Sequence, residues 1–511
     1  MFHPSLEVDF LGVMAQATAV TYAFAVCGTV LSLVIGLVGG VLCSQVWWHV
    51  CWPGAVGRGL WRGIRASLAI PRAIHELIWG LLLLSVLGLD PIVGVLAIAI
   101  PFGAITAKVF SEILDETPTE PLHALVNSGV SPSVAFFYAH FPQALPNLLS
   151  YSFYRFECSL RAAAVLGVIG AGGLGQQISI SLDSLRYEEL WTGFYALMLL
   201  NGCVDMWSAR LRRALGFVGR MELGKRPFRL EKSPKRGGWR NAFVKASLVL
   251  VAIAIPVCFA YLQLGWERVG RAAPFLLELA GKVTPEKVLP EFSISLLPLA
   301  VQTVAMAVIA ITLAGIGGVL FSFPAAQNFF LPGGLLSPVG ETRRLMLGHV
   351  AMAAARVVLL AARAIPAPIL ALVILYGMFP GILPGAIALA LHNFGILGRL
   401  MAEVNENLPD GPLRALRSLG SSGSGVVFYG ILPSNLARFV AYILYRWEVC
   451  LRETVIVGLV GAGGLGRLMT EQLSSFDYSG LAATLTVFIL LTIGVDFVSG
   501  WMRSAVNESA I

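Results

Sequence analysis

The residues with most chemistry to offer are charges set inside stretches otherwise fit for hydrocarbon. Arg155, Glu157 and Arg161 interrupt one apolar run, and Arg446, Glu448 and Arg452 interrupt another. If the first of these helices starts near Asn147, Arg155 lies about 12 Å and Arg161 about 20 Å along it. Charge at membrane depth is costly, so such groups face a cavity or a partner. Two readings stand side by side. In one, Glu157–Arg161 and Glu448–Arg452 are i,i+4 ion pairs that lock their helices. In the other, the arginines give a translocation path a positive field that favours an oxyanion through charge-assisted hydrogen bonds. Asp205 and Asp496 are further acids near the ends of apolar runs.

A second pattern, Gly-Ala-Gly-Gly-Leu-Gly at 170–175 and again at 461–466, fits GxGxxG. A dinucleotide fingerprint needs a strand before it and a helix after it. Here it ends an apolar run. Gly172, Gly173, Gly175, Gly463, Gly464 and Gly466 are therefore expected to make a tight turn at the outer membrane surface and to allow close helix packing. No GxxxxGK[ST] is present, so no ATP is expected to bind through a P-loop. The 7 cysteines are scattered and odd in number, unlike a disulfide framework or a zinc site. No metal-ligand cluster and no nucleophile–base pair is visible. The chain reads as a non-enzyme that binds no cofactor or metal and takes its energy from elsewhere.

The elements that must position these residues follow from composition. The chain is 57% hydrophobic and 13% charged, where soluble domains carry about 25% charged residues. Apolar runs of about 20 residues, the length needed to cross a bilayer, recur throughout. They are continuous, unlike the alternating strands of about 10 residues in a barrel. The fold expected is all-α, with about eleven transmembrane helices. Spans fall near 11–43, 67–89, 91–110, 148–171 and 189–208, then 246–265, 296–322, 350–376, 381–400, 438–462 and 480–502. Between Ala209 and Lys245 stand twelve Lys/Arg against two Glu. The positive-inside rule makes this a cytoplasmic linker, at 215–245, and not a nucleic-acid site.

The sequence repeats itself. Residues 154–175 and 445–466 are identical at twelve of 22 positions at an offset of 291, which also relates Pro121 to Pro412 and Gly129 to Gly420. Arg58, Arg62 and Arg65, with no acid between Ser44 and Ala66, place the first loop inside. That leaves the N-terminus outside and the C-terminus in the cytoplasm. The loop from Leu264 to Ser295 balances four acids with four bases and fits the outside. Five core spans per half is an odd number, so the extra span at 246–265 restores the orientation and makes the repeat parallel. The halves expected are 1–214 and 246–511.

Each half carries a long, partly polar segment, 112–146 and 403–434, that this topology puts in the cytoplasm. A Gly-broken pair of short amphipathic helices there would suit a groove on another protein. The segments resemble the EAA loop of ABC-importer permeases, patterned E-A-A-x3-G-x9-I-x-L-P. Ala124, Gly129 and Pro142, and Ala415, Gly420 and Pro433, fill its Ala, Gly and Pro slots, while His123 and Arg414 stand at the leading Glu slot. With YR[FW]E-x3-R and GAGGLG, the wider pattern is similar to the phosphonate/phosphite/hypophosphite branch of that family. The resemblance implies a bacterial inner-membrane permease. It also implies two copies of a cytoplasmic ATPase holding ATP and Mg, and an external substrate-binding protein. An ion-coupled secondary transporter and a permease for another small substrate, such as methionine, are the alternatives.

Overall fold

The computed structural model describes residues 3–215, 242–265, 285–292, 295–327, 342–378, 381–408 and 410–508, with 267, 270 and 281. The basic linker lies outside the described residues except at its ends, as does much of the loop at 264–295. Regular structure among the described residues is helical throughout. The chain divides into two compact units, Met1–Phe275 and Leu276–Ile511.

The first unit contains α1 (Val8–Cys43), α2 (Gln45–Cys51), α3 (Ala55–Ser67), α4 (Ala69–Ala73), α5 (Glu76–Leu87) and α6 (Pro91–Glu116). It continues with α7 (Glu120–Asn127), α8 (Pro132–Ala135), α9 (Phe141–Leu166), α10 (Leu174–Asp183), α11 (Tyr187–Ala214) and α12 (Ala242–Leu262). In the second unit, α13 (Leu296–Ala325), α14 (Thr342–Ala364), α15 (Ala367–Gly377) and α16 (Ile382–Glu406) correspond to α1 and α3–α6. They lead into α17 (Asp410–Ser418), α18 (Gly423–Val426), α19 (Leu432–Val457), α20 (Gly464–Ser474) and α21 (Tyr478–Glu508).

Seven described helices are long and apolar enough to cross a membrane, or up to ten if each bent pair is one span. The remaining expected span, α11, is 28 residues long but carries Glu188, Glu189, Asn201 and Asp205. It holds the place in its unit that α21 holds in the other.

The spans expected at 67–89 and 350–376 are not straight. The helix ending at Ala73 meets α5 at 85°, and α14 meets α15 at 91°. In the first corner, Ile74 and His75 are extended and His75 Nδ1 accepts the Leu77 N–H at 3.3 Å, which restarts the helix. In the second, Pro366 is extended, and Pro368 lies in the first turn of α15. A proline disfavours helical geometry in the residue before it. Backbone freed inside a membrane needs a partner. Trp79 Nε1 donates to Pro71 O at 3.3 Å, and the His392 ring lies 2.9 Å from Ile365 O.

Each unit is built on one tight pair, α1 with α6 and α13 with α16. Gly28 sits on Ile98 and Gly40 on Phe110, while Gly317 sits on Phe394 and Gly318 on Leu397. Small residues let backbones approach where burial from water offers no driving force. Helix α12, grouped with the second half in the sequence reading, packs on α1 and α11 of the first unit. Its Cys258 and Leu262 join the cluster around Phe24 and Ile98, and Trp207 Nε1 donates to Ser247 Oγ at 3.2 Å.

Candidate coupling loops and intramembrane charges

Helices α7 and α17 end in the same way. Gly129 has φ +91° and Gly420 has φ +88°, in the left-handed region that glycine adopts without strain. Val130 N–H donates to Leu125 O at 3.1 Å and Gly129 N–H to Val126 O at 3.0 Å. Ser421 N–H donates to Leu416 O at 3.2 Å and Gly420 N–H to Arg417 O at 3.0 Å. This doubly bonded ending satisfies carbonyls that a helix terminus would otherwise leave open. One buried leucine anchors each helix. Leu122 sits among Phe110 and Phe136, and Leu413 among Val426 and Ile431. His123, Ala124 and Gly129, like Arg414, Ala415 and Gly420, face outward.

The second arm of each loop is not the separate short helix expected from sequence. Pro132–Leu166 forms one helical rod, as does Gly423–Val457. A wide π-turn, Phe136–His140 or Val427–Ile431, lies in each rod just ahead of the proline of the motif. Phe141 N–H reaches back to Phe136 O, and Leu432 N–H to Val427 O. A proline has no N–H and its ring crowds the preceding turn, and the wider turn accommodates Pro142 and Pro433 inside the rod.

Two features of the loops escaped the sequence reading. Phe137–Tyr138 and Phe428–Tyr429 stand out beside α7 and α17, with Tyr138 78% and Tyr429 82% exposed. A carboxylate also ties each loop to its unit. Asp115 accepts from Ser44 Oγ at 2.7 Å and Val46 N at 3.2 Å. Glu406 accepts from Gln327 N at 3.1 Å and pairs with Arg356 at 2.7 Å. Both pairs of features recur at the offset of 291.

Glu157 and Glu448 pair between helices, not with the arginine four residues further along their own. Glu157 binds Arg212 of α11 at 3.2 Å, and Glu448 binds Arg503 of α21 at 2.5 Å. Arg161 Nη2 instead lies 3.6 Å from Cys158 Sγ, and Arg452 Nε donates to Glu448 O at 3.3 Å. The reason is tertiary: α11 and α21 each present a guanidinium that a single-helix view leaves out.

Arg155 and Arg446 differ. Arg446 donates through Nε and Nη2 to Asn393 Oδ1 at 2.8 and 2.5 Å, and through Nη2 to Glu453 Oε1 at 3.3 Å. Asn393 Nδ2 donates to Glu453 Oε2 at 3.2 Å and closes the triangle. Arg155 instead lies over the Phe102 ring, 3.9 Å from its centre. Its Nε and Nη2 meet no acceptor among the described residues.

The glycine motif is a reversal. Gly170, Gly172 and Gly173 have φ of +91°, +104° and +82°, and Gly461, Gly463 and Gly464 have +110°, +91° and +69°. Gly175 backs onto Ala164 O and Gly466 onto Val455 O, leaving no room for a methyl group. Leu174 N–H donates to Thr21 Oγ1 at 2.9 Å, and Leu465 N–H to Thr303 Oγ1 at 3.0 Å. The turn thus pins α10 to α1 and α20 to α13, with no strand beside it.

Similarity to known proteins follows the same twofold plan. The chain is 28% identical over 444 residues to the phosphate-import permease protein PhnE of Mycolicibacterium smegmatis, covering 86% of this chain and 77% of that one. It is 29% identical over 268 residues to the phosphite transport system permease protein PtxC of Stutzerimonas stutzeri, covering 52% of this chain and 90% of the relative. Over 117 residues, 23% of this chain, it is 32% identical to 96% of an Escherichia coli K12 protein named for a cryptic phosphonate transport system. Residues 51–215 and 339–508, one stretch in each unit, match the family described as binding-protein-dependent transport system inner membrane component. The chain belongs to that family of ABC-importer permeases and carries its domain twice.

Proposed function

We propose that this chain is the membrane subunit of an ATP-driven importer for phosphorus oxyanions such as phosphonate, phosphite or hypophosphite. The observation that carries this reading is the pair of glycine-closed loop helices, α7 and α17, repeated with matching positions facing outward in both units. Each receives one copy of a cytoplasmic ATPase, which holds the ATP and Mg. An external binding protein delivers the anion. The loops face the cytoplasm at a bacterial inner membrane, with the N-terminus outside and the C-terminus in the cytoplasm. The relatives' names support the oxyanion class, and the buried guanidinium of Arg155 suits it chemically.

The rods supply the coupling. From Pro132 to Arg155 a helix rises about 35 Å, so a push on the loop beside α7 reaches the membrane charges through one rigid element. ATPase closure then draws the loops together and rocks each unit between inward- and outward-open states.

Reconstituted vesicles test the reading. Uptake of labelled phosphite or methylphosphonate is expected to need ATP, the ATPase and the binding protein together. Uptake driven by an ion gradient alone would overturn it. So would labelling of cysteines placed at Ser131 or Ser422 from outside intact cells.

A further inference from the structure

The repeat supplies an internal control for every buried charge. Arg446, 8% exposed, shows how this fold neutralises a guanidinium at that depth, with an amide from α16 and a carboxylate about two helical turns further along α19. At the matching positions of the first unit, 291 residues earlier, stand Phe102 and Ala162. Arg155, 6% exposed, therefore keeps its charge in a setting without either partner. Glu76, the acid whose field reaches it, lies 2.9 Å from His75 Nδ1 and forms no ion pair with Arg155. An unmatched buried charge is strongly destabilising. A fold that holds a solution to this problem in one copy, and omits it in the other, leaves a donor edge open. The ring of Phe102 holds that guanidinium by a cation–π contact, which takes up none of its N–H groups.

We propose that Arg155 is the anion-coordinating residue of the transport path, and that this site belongs to the first unit alone. Its Nε and Nη2 edge takes two oxygens of a phosphorus oxyanion in the forked geometry that suits guanidinium. In the second unit Asn393 Oδ1 occupies the equivalent edge and Glu453 adds to its Nη2, so Arg446 is a closed structural copy of the same site. The inference rests on the oxyanion reading above and gives it a residue.

Grafting the second unit's network into the first decides the matter. The double variant Phe102→Asn with Ala162→Glu gives Arg155 the partners that Arg446 has. The full complex is reconstituted with its ATPase and binding protein, and uptake of labelled phosphite and methylphosphonate is measured. The graft is expected to assemble and melt at least as well as the parent, while its KM for uptake rises tenfold or more. Arg155→Gln is expected to raise KM likewise, with Arg155→Lys in between. The neutral pair Arg446→Gln with Glu453→Gln is expected to leave KM within twofold. A well-assembled graft with the parent's KM overturns the proposal while leaving oxyanion import intact. A parent complex that carries no phosphorus oxyanion overturns both.

Discussion

The two units share a backbone plan and differ in where they tolerate polarity. Both have the α1–α6 or α13–α16 pair, a corner in the second span, a glycine-closed loop helix and a Thr-pinned reversal. The interiors diverge at set places. In the second unit Asn435 donates to Asn405, which donates to Ser322, and all three are buried. In the first unit Leu114 and Ala144 stand where Asn405 and Asn435 would be, both buried. The Arg446 triangle and the Arg155–Phe102 stack repeat the contrast. The glycines that fix the loop ends and the reversals are the same in both copies, whereas side chains that fill or bond within the interior have been free to differ.

Substitutions can break or sharpen that contrast. The largest effect is expected where the units agree. Gly175→Ala and Gly466→Ala drive a methyl into a carbonyl in either copy, and each should abolish the folded complex on size-exclusion chromatography. Next come changes that expose the difference. Glu453→Ala leaves Arg446 short of its counter-charge and should cost about 3–5 kcal/mol, read as a large fall in melting temperature. Gly129→Val and Gly420→Val, at left-handed positions, should cost about 1–3 kcal/mol each. They should also uncouple ATP hydrolysis from uptake, and retained coupling would count against the rod mechanism. Smallest is Asn405→Leu with Asn435→Ala, which turns the second unit's network into the first unit's packing. Replacing both partners of a buried bond is close to neutral, so melting should move little.

Much of this was legible in the residues themselves. The glycine reversal could be read because only Gly suits positive φ at so many neighbouring positions. The loop helices could be read because Gly129 and Gly420 keep their distance to Pro142 and Pro433. Hydropathy was blind to the corners, since a bend leaves an apolar window unchanged. Ile365-Pro366 was the clue to the second corner, whereas the first falls at Ile74–His75, beyond Pro71. The partners of Glu157 and Glu448 were missed because helical periodicity sees only neighbours on one helix. Arg212 and Arg503, themselves 291 residues apart, were the available signal. The packing of α12 on the first unit depends on a surface that no linear pattern records.

The covalent tandem has a further consequence. A permease made of two identical chains receives every mutation twice, once on each side, so a change that helps one side and harms the other is lost. Here Phe102 and Asn393 are separate codons, and each can be chosen on its own merits. Fusion turns a symmetric machine into one whose two sides are able to specialise.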